Sequence, residues 1–182
     1  MAAPSDQELV ARTRQGDMSA YGELVSAYQR SVFNICYRMM GRRRDAEDLT
    51  QEAFLRAYRN LGKYDSQRPF GPWMHTLAAN LCRNALTRSR PDTVPLLEEY
   101  DRSPDAAHRG PENRLVVSQQ HREIYQALWE LPDHHRLAVE LYHFQGLSYQ
   151  EMAQTLDLPL NTVRSHLYRG RQKLAELLDA YE

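Results

Sequence analysis

The chain has 182 residues, of which 42% are hydrophobic and 26% are charged, and its formal net charge is −1. This length allows one or two small domains and excludes a large multidomain enzyme. No apolar segment approaches the ~20 residues that span a bilayer. The first residues do not show the basic segment followed by an apolar stretch that is typical of a signal peptide, so none is expected. We therefore expect a cytoplasmic protein without membrane insertion.

The charge is unevenly distributed along the chain. Residues 1–90 carry fourteen Lys or Arg against nine Asp or Glu, whereas residues 91–182 carry nine against fifteen. Within the acidic second half, residues 161–174 contain four basic side chains and no acidic one. A local basic stripe in an acidic segment indicates directed contact with an anionic partner.

Two helices are predicted at the N-terminus. Ser5 and Glu8 have the spacing of a capping box and predict a short helix that ends near residue 15. Asp17 is expected to cap a long second helix, which ends at Gly41. Apolar residues recur along this second helix at steps of three and four and predict one buried stripe.

A third helix is expected to begin after Asp45 and to end at Gly62. Its predicted core stripe comprises Ala46, Leu49, Ala53, Ala57, Tyr58 and Leu61. A loop at 63–69 leads to a fourth helix that starts near Phe70. Cys36 and Cys82 fall on apolar helical positions and are expected to be reduced core thiols, with a disulfide as the alternative. These four helices predict one domain at residues 5–90.

The remainder of the chain predicts a linker and a second domain. Residues 91–114 are acidic and contain four prolines, which is typical of a flexible linker. Beyond them, Asp133 and Asn161 are expected to cap two helices, and Ser148 with Glu151 forms a second capping box. The second domain is expected at residues 115–180. The fold class is therefore all-α, with two small helical domains joined by a linker.

The last two predicted helices have the plan of a helix-turn-helix. A short capped helix is followed by a turn that contains Pro159 and then by a longer helix. The outward positions of the longer helix carry the side chains that hold phosphates and read base edges: Thr162, Arg164, Ser165, Tyr168, Arg169 and Gln172. The sequence therefore predicts a DNA-reading helix, and a solvated basic surface on an ordinary core helix is the alternative.

Two further polar surfaces are predicted in the first domain. The outer face of the third helix surrounds a leucine with charged side chains and comprises Asp48, Gln51, Glu52, Leu55, Arg56 and Arg59. It is interpreted either as a docking face or as a solvated face with one exposed leucine. The loop and fourth helix combine aromatic, cationic and amide side chains: Lys63, Tyr64, Arg68, Asn80, Arg83 and Asn84. This set suits single-stranded nucleic acid, although a tyrosine such as Tyr64 is more often a core or loop anchor. Phe70 is expected on the inward face of the fourth helix.

Together the motifs resemble an extracytoplasmic-function (ECF) sigma factor of bacterial RNA polymerase, a member of the sigma-70 superfamily. They are DAEDLTQEAF at 45–54, FxxW at 70–73, LAAN at 77–80, LP at 131–132, GLSYQE at 146–151 and TVRS at 162–165. The resemblance covers nearly the whole chain in the family's order, with a linker where the family has one.

The resemblance implies a role for each surface. The outer face of the third helix would dock on the clamp helices of the polymerase β′ subunit, and the second domain would contact the flap of the β subunit. The loop from Lys63 to Phe70, with Asn80 and Arg83 of the fourth helix, would help to melt the promoter, and the loop would capture a flipped base of the minus-ten element. The last helix would enter the minus-thirty-five major groove with Arg164, Ser165, Tyr168, Arg169 and Arg171. An anti-sigma factor would be a further partner.

Two other functional classes are less compatible with the sequence. A free-standing helix-turn-helix regulator would explain residues 148–178 but would leave the outer face of the third helix without a role. An enzyme would need a catalytic or metal-binding motif, and the seven histidines form no H-E-x-x-H pattern or i, i+4 pair. We therefore expect a protein without enzymatic activity, cofactor or metal.

Overall fold

The computed structural model describes residues 4–88 and 123–180, and the predicted linker at 91–114 lies outside these residues. The described chain is helical. Its α-helices are α1 (Asp6–Arg14), α2 (Met18–Met40), α3 (Arg43–Asn60), α4 (Phe70–Arg88), α5 (123–130), α6 (Asp133–Val139), α7 (Tyr149–Leu156) and α8 (Leu160–Asp179). A 3-10 turn at Leu61–Lys63 follows α3, and a π-helical segment at Glu140–Phe144 continues α6. An all-α fold is confirmed.

Short-range polar contacts set three helix starts, as predicted. The Ser5 hydroxyl accepts a hydrogen bond from the Glu8 backbone N–H, while the Glu8 carboxylate accepts one from Ser5 N–H at 2.8 Å. Asp17 accepts from two backbone N–H groups at the start of α2. The second capping box, between Ser148 and Glu151, starts α7. Such contacts satisfy amides that have no partner inside the helix.

Three predicted helix starts are wrong by one to three residues. Gly41 ends α2 in the left-handed region with φ 72°, and Arg42 is extended, so α3 begins at Arg43 and Asp45 lies in its first turn. Helices α6 and α8 each follow a proline whose carbonyl accepts the first helical hydrogen bonds. Consequently Asp133 and Asn161 are first-turn residues rather than caps.

Tyr58 was predicted in the core of α3 and is instead 42% exposed. The buried tyrosine beneath it is Tyr21, whose hydroxyl donates to the Phe54 carbonyl at 2.5 Å. The Tyr58 ring lies against the Tyr21 ring at a centroid distance of 5.1 Å, on the solvent side. Because Tyr21 already fills the interior position, Tyr58 remains at the surface.

The two helical domains pack against each other through one continuous core. The buried residues of α2 and α4 join those of α6 and α7 in a single hydrophobic cluster. An ion pair lies within this contact: Arg38 of α2 donates to the carboxylate of Glu140, and the two residues are 8% and 2% exposed. The Phe144 ring lies 4.3 Å from the Arg38 guanidinium carbon. Among the described helices, none is long and apolar enough to cross a membrane.

Candidate functional site

The outer face of α3 is a continuous exposed surface. Leu55 is 51% exposed and Tyr58 lies one turn away, so an apolar patch is open to solvent at its centre. The surrounding polar residues are exposed or half-buried: Asp48, Gln51, Glu52, Arg56 and Arg59. Glu52 and Arg56 form an ion pair at 2.5 Å along the helix. Since the charged side chains flank the apolar patch without covering it, the face has the composition of a docking surface.

The loop at 61–69 rests on an aromatic cluster. Tyr64 is 5% exposed and Phe70 is 1% exposed. The Tyr64 ring packs against Phe70 at 5.6 Å and against Trp73 at 4.7 Å between centroids. These two aromatic rings were predicted to contact DNA, but their burial places them beneath the loop, where no base can stack on them in this conformation. Lys63 and Arg68 are the predicted contact residues that the loop exposes.

Helix α1 contacts this loop through a side chain that the sequence analysis did not single out. The Arg14 guanidinium donates to the Leu61 carbonyl at 2.8 and 3.1 Å and also to the Tyr64 carbonyl. Gln7 donates to the Ser66 carbonyl at 3.1 Å. The helix dipole favours an arginine in the last turn of any helix, whatever the arginine contacts. The position of Arg14 in the sequence therefore does not predict its hydrogen bonds to the loop.

The polar face of α4 is partly covered by α7. Arg83 donates to the Leu156 carbonyl at 2.5 Å, and the hydroxyls of Thr76 and Thr155 lie 2.9 Å apart. Asn80 is half-buried, whereas Asn84 is exposed. Of the three residues predicted on this face, only Asn84 is therefore freely accessible while the domains are docked.

Helices α7 and α8 form the predicted helix-turn-helix. The turn passes through Asp157 in the left-handed region, with φ 52°. Val163 and Leu167 are buried on the inner face of α8. Of the predicted DNA contacts, Thr162 is half-buried and the other five are exposed, namely Arg164, Ser165, Tyr168, Arg169 and Arg171. The structure thus brings these residues together on one outward face.

Contacts within the second domain hold one of these arginines in place. Arg171 donates to the His143 ring at 2.9 Å and lies 4.7 Å from the Tyr142 ring centroid. Arg164 is 6.0 Å from the Tyr149 ring centroid. The Arg171 side chain is therefore oriented by two partners, while Arg164 lies farther from its aromatic neighbour and extends over the start of α7.

Three buried or half-buried histidines make the free energy of unfolding depend on pH. Burial lowers the pKa of His75 to about 4, and it also lowers the pKa values of His135 and His166. Below the unfolded pKa near 6.5, the unfolded state binds protons that the folded state excludes. The free energy of unfolding should therefore fall as the pH decreases from 6.5, by about 2 kcal/mol at pH 5 for His75 alone. Urea titrations across this range measure it, and His75→Gln should remove the His75 part of the slope.

Comparison with known proteins agrees with this arrangement. The Sigma-70 region 2 family matches residues 24–91, and the Sigma-70 region 4 family matches residues 121–174. The chain is 33% identical to the ECF RNA polymerase sigma-E factor of Haemophilus influenzae, over 93% of both chains.

Two solved structures have the same fold. CnrH in complex with the cytosolic domain of CnrY superposes with a TM-score of 0.70 at 25% identity, over 98% of this chain and all of that one. The sigma factor RpoE of Bartonella quintana, in complex with the anti-sigma factor NepR, superposes with a TM-score of 0.66 at 19% identity, over 87% and 96% of the two chains. The exposed α3 face, the helix-turn-helix and these matches lead to one conclusion: the chain belongs to the ECF family of RNA polymerase sigma factors.

Proposed function

We propose that this sigma factor binds core RNA polymerase through the outer face of α3 and directs it to a two-part promoter. The loop at 61–69 and the α4 face act at the minus-ten element and assist melting, and α8 acts at the minus-thirty-five element. The polymerase performs the chemistry, in the cytoplasm, and the sigma factor itself is not an enzyme. The observation that carries the proposal is the presence of two separate, outward-facing surfaces, on α3 and α8, in a chain of this family.

The α3 face supports polymerase docking because its apolar centre is already exposed. Leu55 and Tyr58 need no rearrangement to contact a partner helix, and the charges around them supply orientation. Protein interfaces typically combine an apolar centre with a polar rim in this way. The β′ clamp helices are the partner that the family resemblance assigns to this face, and the β flap is the partner it assigns to the second domain.

The outward face of α8 supports duplex reading. An α-helix fits the major groove, where guanidinium groups bind guanine and hydroxyls bind phosphates. Arg164 lies near the N-terminus of α8, which is the end that a recognition helix inserts most deeply. We therefore assign Arg164 to a base contact.

Arg164→Ala should weaken promoter binding by about 2 kcal/mol at one base pair if the guanidinium makes a bidentate contact with guanine. Binding measurements against a series of single base-pair substitutions would show the loss concentrated at that position. A uniform loss across all sequences would instead identify Arg164 as a phosphate contact. Arg88→Ala, at an exposed arginine at the end of α4, is the control.

Simultaneous contact with both promoter elements requires the two domains to separate. By their numbering, the minus-ten and minus-thirty-five elements are about 25 base pairs apart, which corresponds to roughly 85 Å at 3.4 Å per base pair. A compact chain of this length has a radius of gyration of only about 16 Å. In addition, Arg83 of the α4 face is hydrogen-bonded to α7 in the docked arrangement. The docked arrangement is therefore a state of the free or inhibited protein.

An anti-sigma factor is the proposed regulator of this chain. Two proteins of the same fold were solved with a bound protein partner, and one of those partners is an anti-sigma factor. A partner that stabilises the docked arrangement would keep α4 covered and prevent contact with both promoter elements. Such a partner needs to bind both domains, and it should compete with core polymerase.

A reconstituted transcription assay tests the proposal. Core bacterial RNA polymerase, the full-length chain and the DNA upstream of its own gene should yield a discrete transcript that requires the chain. Polymerase binding is measured separately by size-exclusion chromatography. Absence of both transcript and polymerase binding, from a folded sample, would overturn the proposal. Tight binding to duplex DNA without polymerase would favour a free-standing helix-turn-helix regulator.

A further inference from the structure

Helix α1 precedes the part of the first domain that matches the Sigma-70 region 2 family. The region 2 match begins at residue 24, within α2, whereas α1 spans Asp6–Arg14. Leu9 and Val10 of α1 are buried in the core. Two polar side chains of α1, Gln7 and Arg14, reach the loop at 61–69, the proposed minus-ten surface.

We propose that Arg14 and Gln7 are positioning residues for promoter recognition, which hold the backbone of the loop at 61–69 in the conformation that meets the minus-ten element. The inference rests on the proposed function of that loop. Neither residue is assigned a contact with DNA; each acts through the loop carbonyls to which it donates.

Arg14 fixes the first part of the loop. Its guanidinium donates two hydrogen bonds to the Leu61 carbonyl and one to the Tyr64 carbonyl. A planar guanidinium has five N–H donors in a rigid arrangement, so one side chain can fix the relative positions of two carbonyls. Lys63, one of the exposed cations of the loop, lies between these two anchored residues.

Gln7 fixes the second part of the loop. It lies seven residues before Arg14, two turns away on the same face of α1, which is about 10 Å along the helix axis. Its side chain donates to the Ser66 carbonyl at 3.1 Å. Hydrogen bonds within the loop hold its last residues. The Gln67 backbone N–H donates to the Asp65 carboxylate at 3.0 Å, and the Tyr64 hydroxyl donates to the Arg68 carbonyl.

A third α1 side chain supports the aromatic cluster under the loop. The Tyr28 hydroxyl donates to the carboxylate of Asp6, and the Tyr28 ring packs against Phe70 at 5.3 Å. The loop is thus held at its carbonyls by Arg14 and Gln7, while Asp6 holds one of the rings beneath it. A loop ordered before it binds loses less conformational entropy on binding and discriminates more sharply among ligands.

The test compares Arg14→Gln with Arg12→Gln in the full-length chain bound to core polymerase. Arg12 is on the same helix and is half-buried, but it pairs with Asp17 at 2.8 Å and with Glu23, away from the loop. The probes are promoter fragments from the DNA upstream of the chain's own gene, with each minus-ten base pair replaced in turn. The measured quantity is the ratio of transcription from the unsubstituted and substituted fragments.

Arg14→Gln should reduce this ratio about fivefold, the effect of charge-assisted hydrogen bonds at a partly exposed site, while Arg12→Gln leaves it unchanged. Arg14→Lys should restore part of the ratio, since an ammonium reaches one carbonyl. Affinity for core polymerase and discrimination at the minus-thirty-five element should not change. Amide hydrogen exchange of residues 61–68 should accelerate in Arg14→Gln alone.

Two results would overturn the inference. A uniform fall in transcription on all fragments, with the discrimination ratio unchanged, would mean that Arg14 contributes only to folding. Equal loss of discrimination in both variants would mean that α1 acts as a whole. If discrimination is absent in the unmutated protein and Lys63→Ala with Arg68→Ala has no effect, the proposed role of the loop itself fails. Hydrogen exchange then still reports whether Arg14 orders the loop.

Discussion

Glu140→Gln should separate the two docked domains. The substitution keeps the shape of the side chain but removes the carboxylate charge that faces Arg38, which is 8% exposed. An arginine does not lose its proton in a protein, so its charge persists. Removing one partner of a buried ion pair typically costs about 3–5 kcal/mol. Here the protein can avoid this cost by opening, because separation of the domains returns Arg38 to water.

Small-angle X-ray scattering measures this opening directly. The radius of gyration should rise above the roughly 16 Å of a compact chain of this length. Glu47→Gln is the matched control, because Glu47 pairs with Arg43 at 2.7 Å on the exposed surface, where ion pairs contribute little. Replacing both Arg38 and Glu140 with Met should restore the docked arrangement, because it removes both buried charges. An unchanged radius in Glu140→Gln would show that apolar packing and the hydrogen bonds between α4 and α7 hold the domains without this ion pair.

The π-helical segment explains how α6 presents this ion pair. Gln145 N–H donates to the Glu140 carbonyl at 3.2 Å, five residues back, which widens the helix locally. The Gln145 side chain also donates to the Glu140 carboxylate at 2.8 Å. Glu140 and Phe144 are thereby directed at the same guanidinium. The buried carboxylate has two donors, Arg38 and Gln145, as a charge in the interior requires.

Local sequence signals predict the helices and the outward faces of this chain well. Ser5 with Glu8 and Ser148 with Glu151 require only residues three apart, and the helix starts that they predict are confirmed. Exposure of Leu55 is predicted correctly too, since it lies opposite the apolar stripe of α3.

Contacts between distant residues are not predictable from the same signals. Arg38 and Glu140 are 102 residues apart, and helical periodicity places each polar residue at the surface of its own domain. Their burial depends on docking of two domains that sequence analysis treats separately. Tyr64 shows a related limit, because an aromatic residue in a cationic loop can either stack on a base or anchor the loop, and its 5% exposure depends on packing against the fourth helix.

The exposed centre of α3 leads to the second large expected effect. Replacing both Asp48 and Leu55 with Ala should weaken binding to core polymerase about 100-fold, or about 3 kcal/mol. Leu55, at 51% exposure, has apolar surface to bury, and Asp48 lies two turns earlier on the same face. Since neither side chain is buried in the free protein, helicity and the free energy of unfolding should change little.

Fluorescence anisotropy with labelled core polymerase measures the affinity, and circular dichroism measures the fold. Glu23→Ala with Arg30→Ala, on the exposed surface of α2, is the control and should retain binding. If the α3 variant unfolds, the face is structural and its assignment as a docking surface is wrong. If it folds and binds normally, polymerase is held elsewhere on the chain. Loss of binding with an intact helical spectrum would instead make the apolar patch around Leu55 the centre of the polymerase interface. The Leu55 side chain is exposed in the free protein and does not contribute to the fold, so its contribution would be to binding.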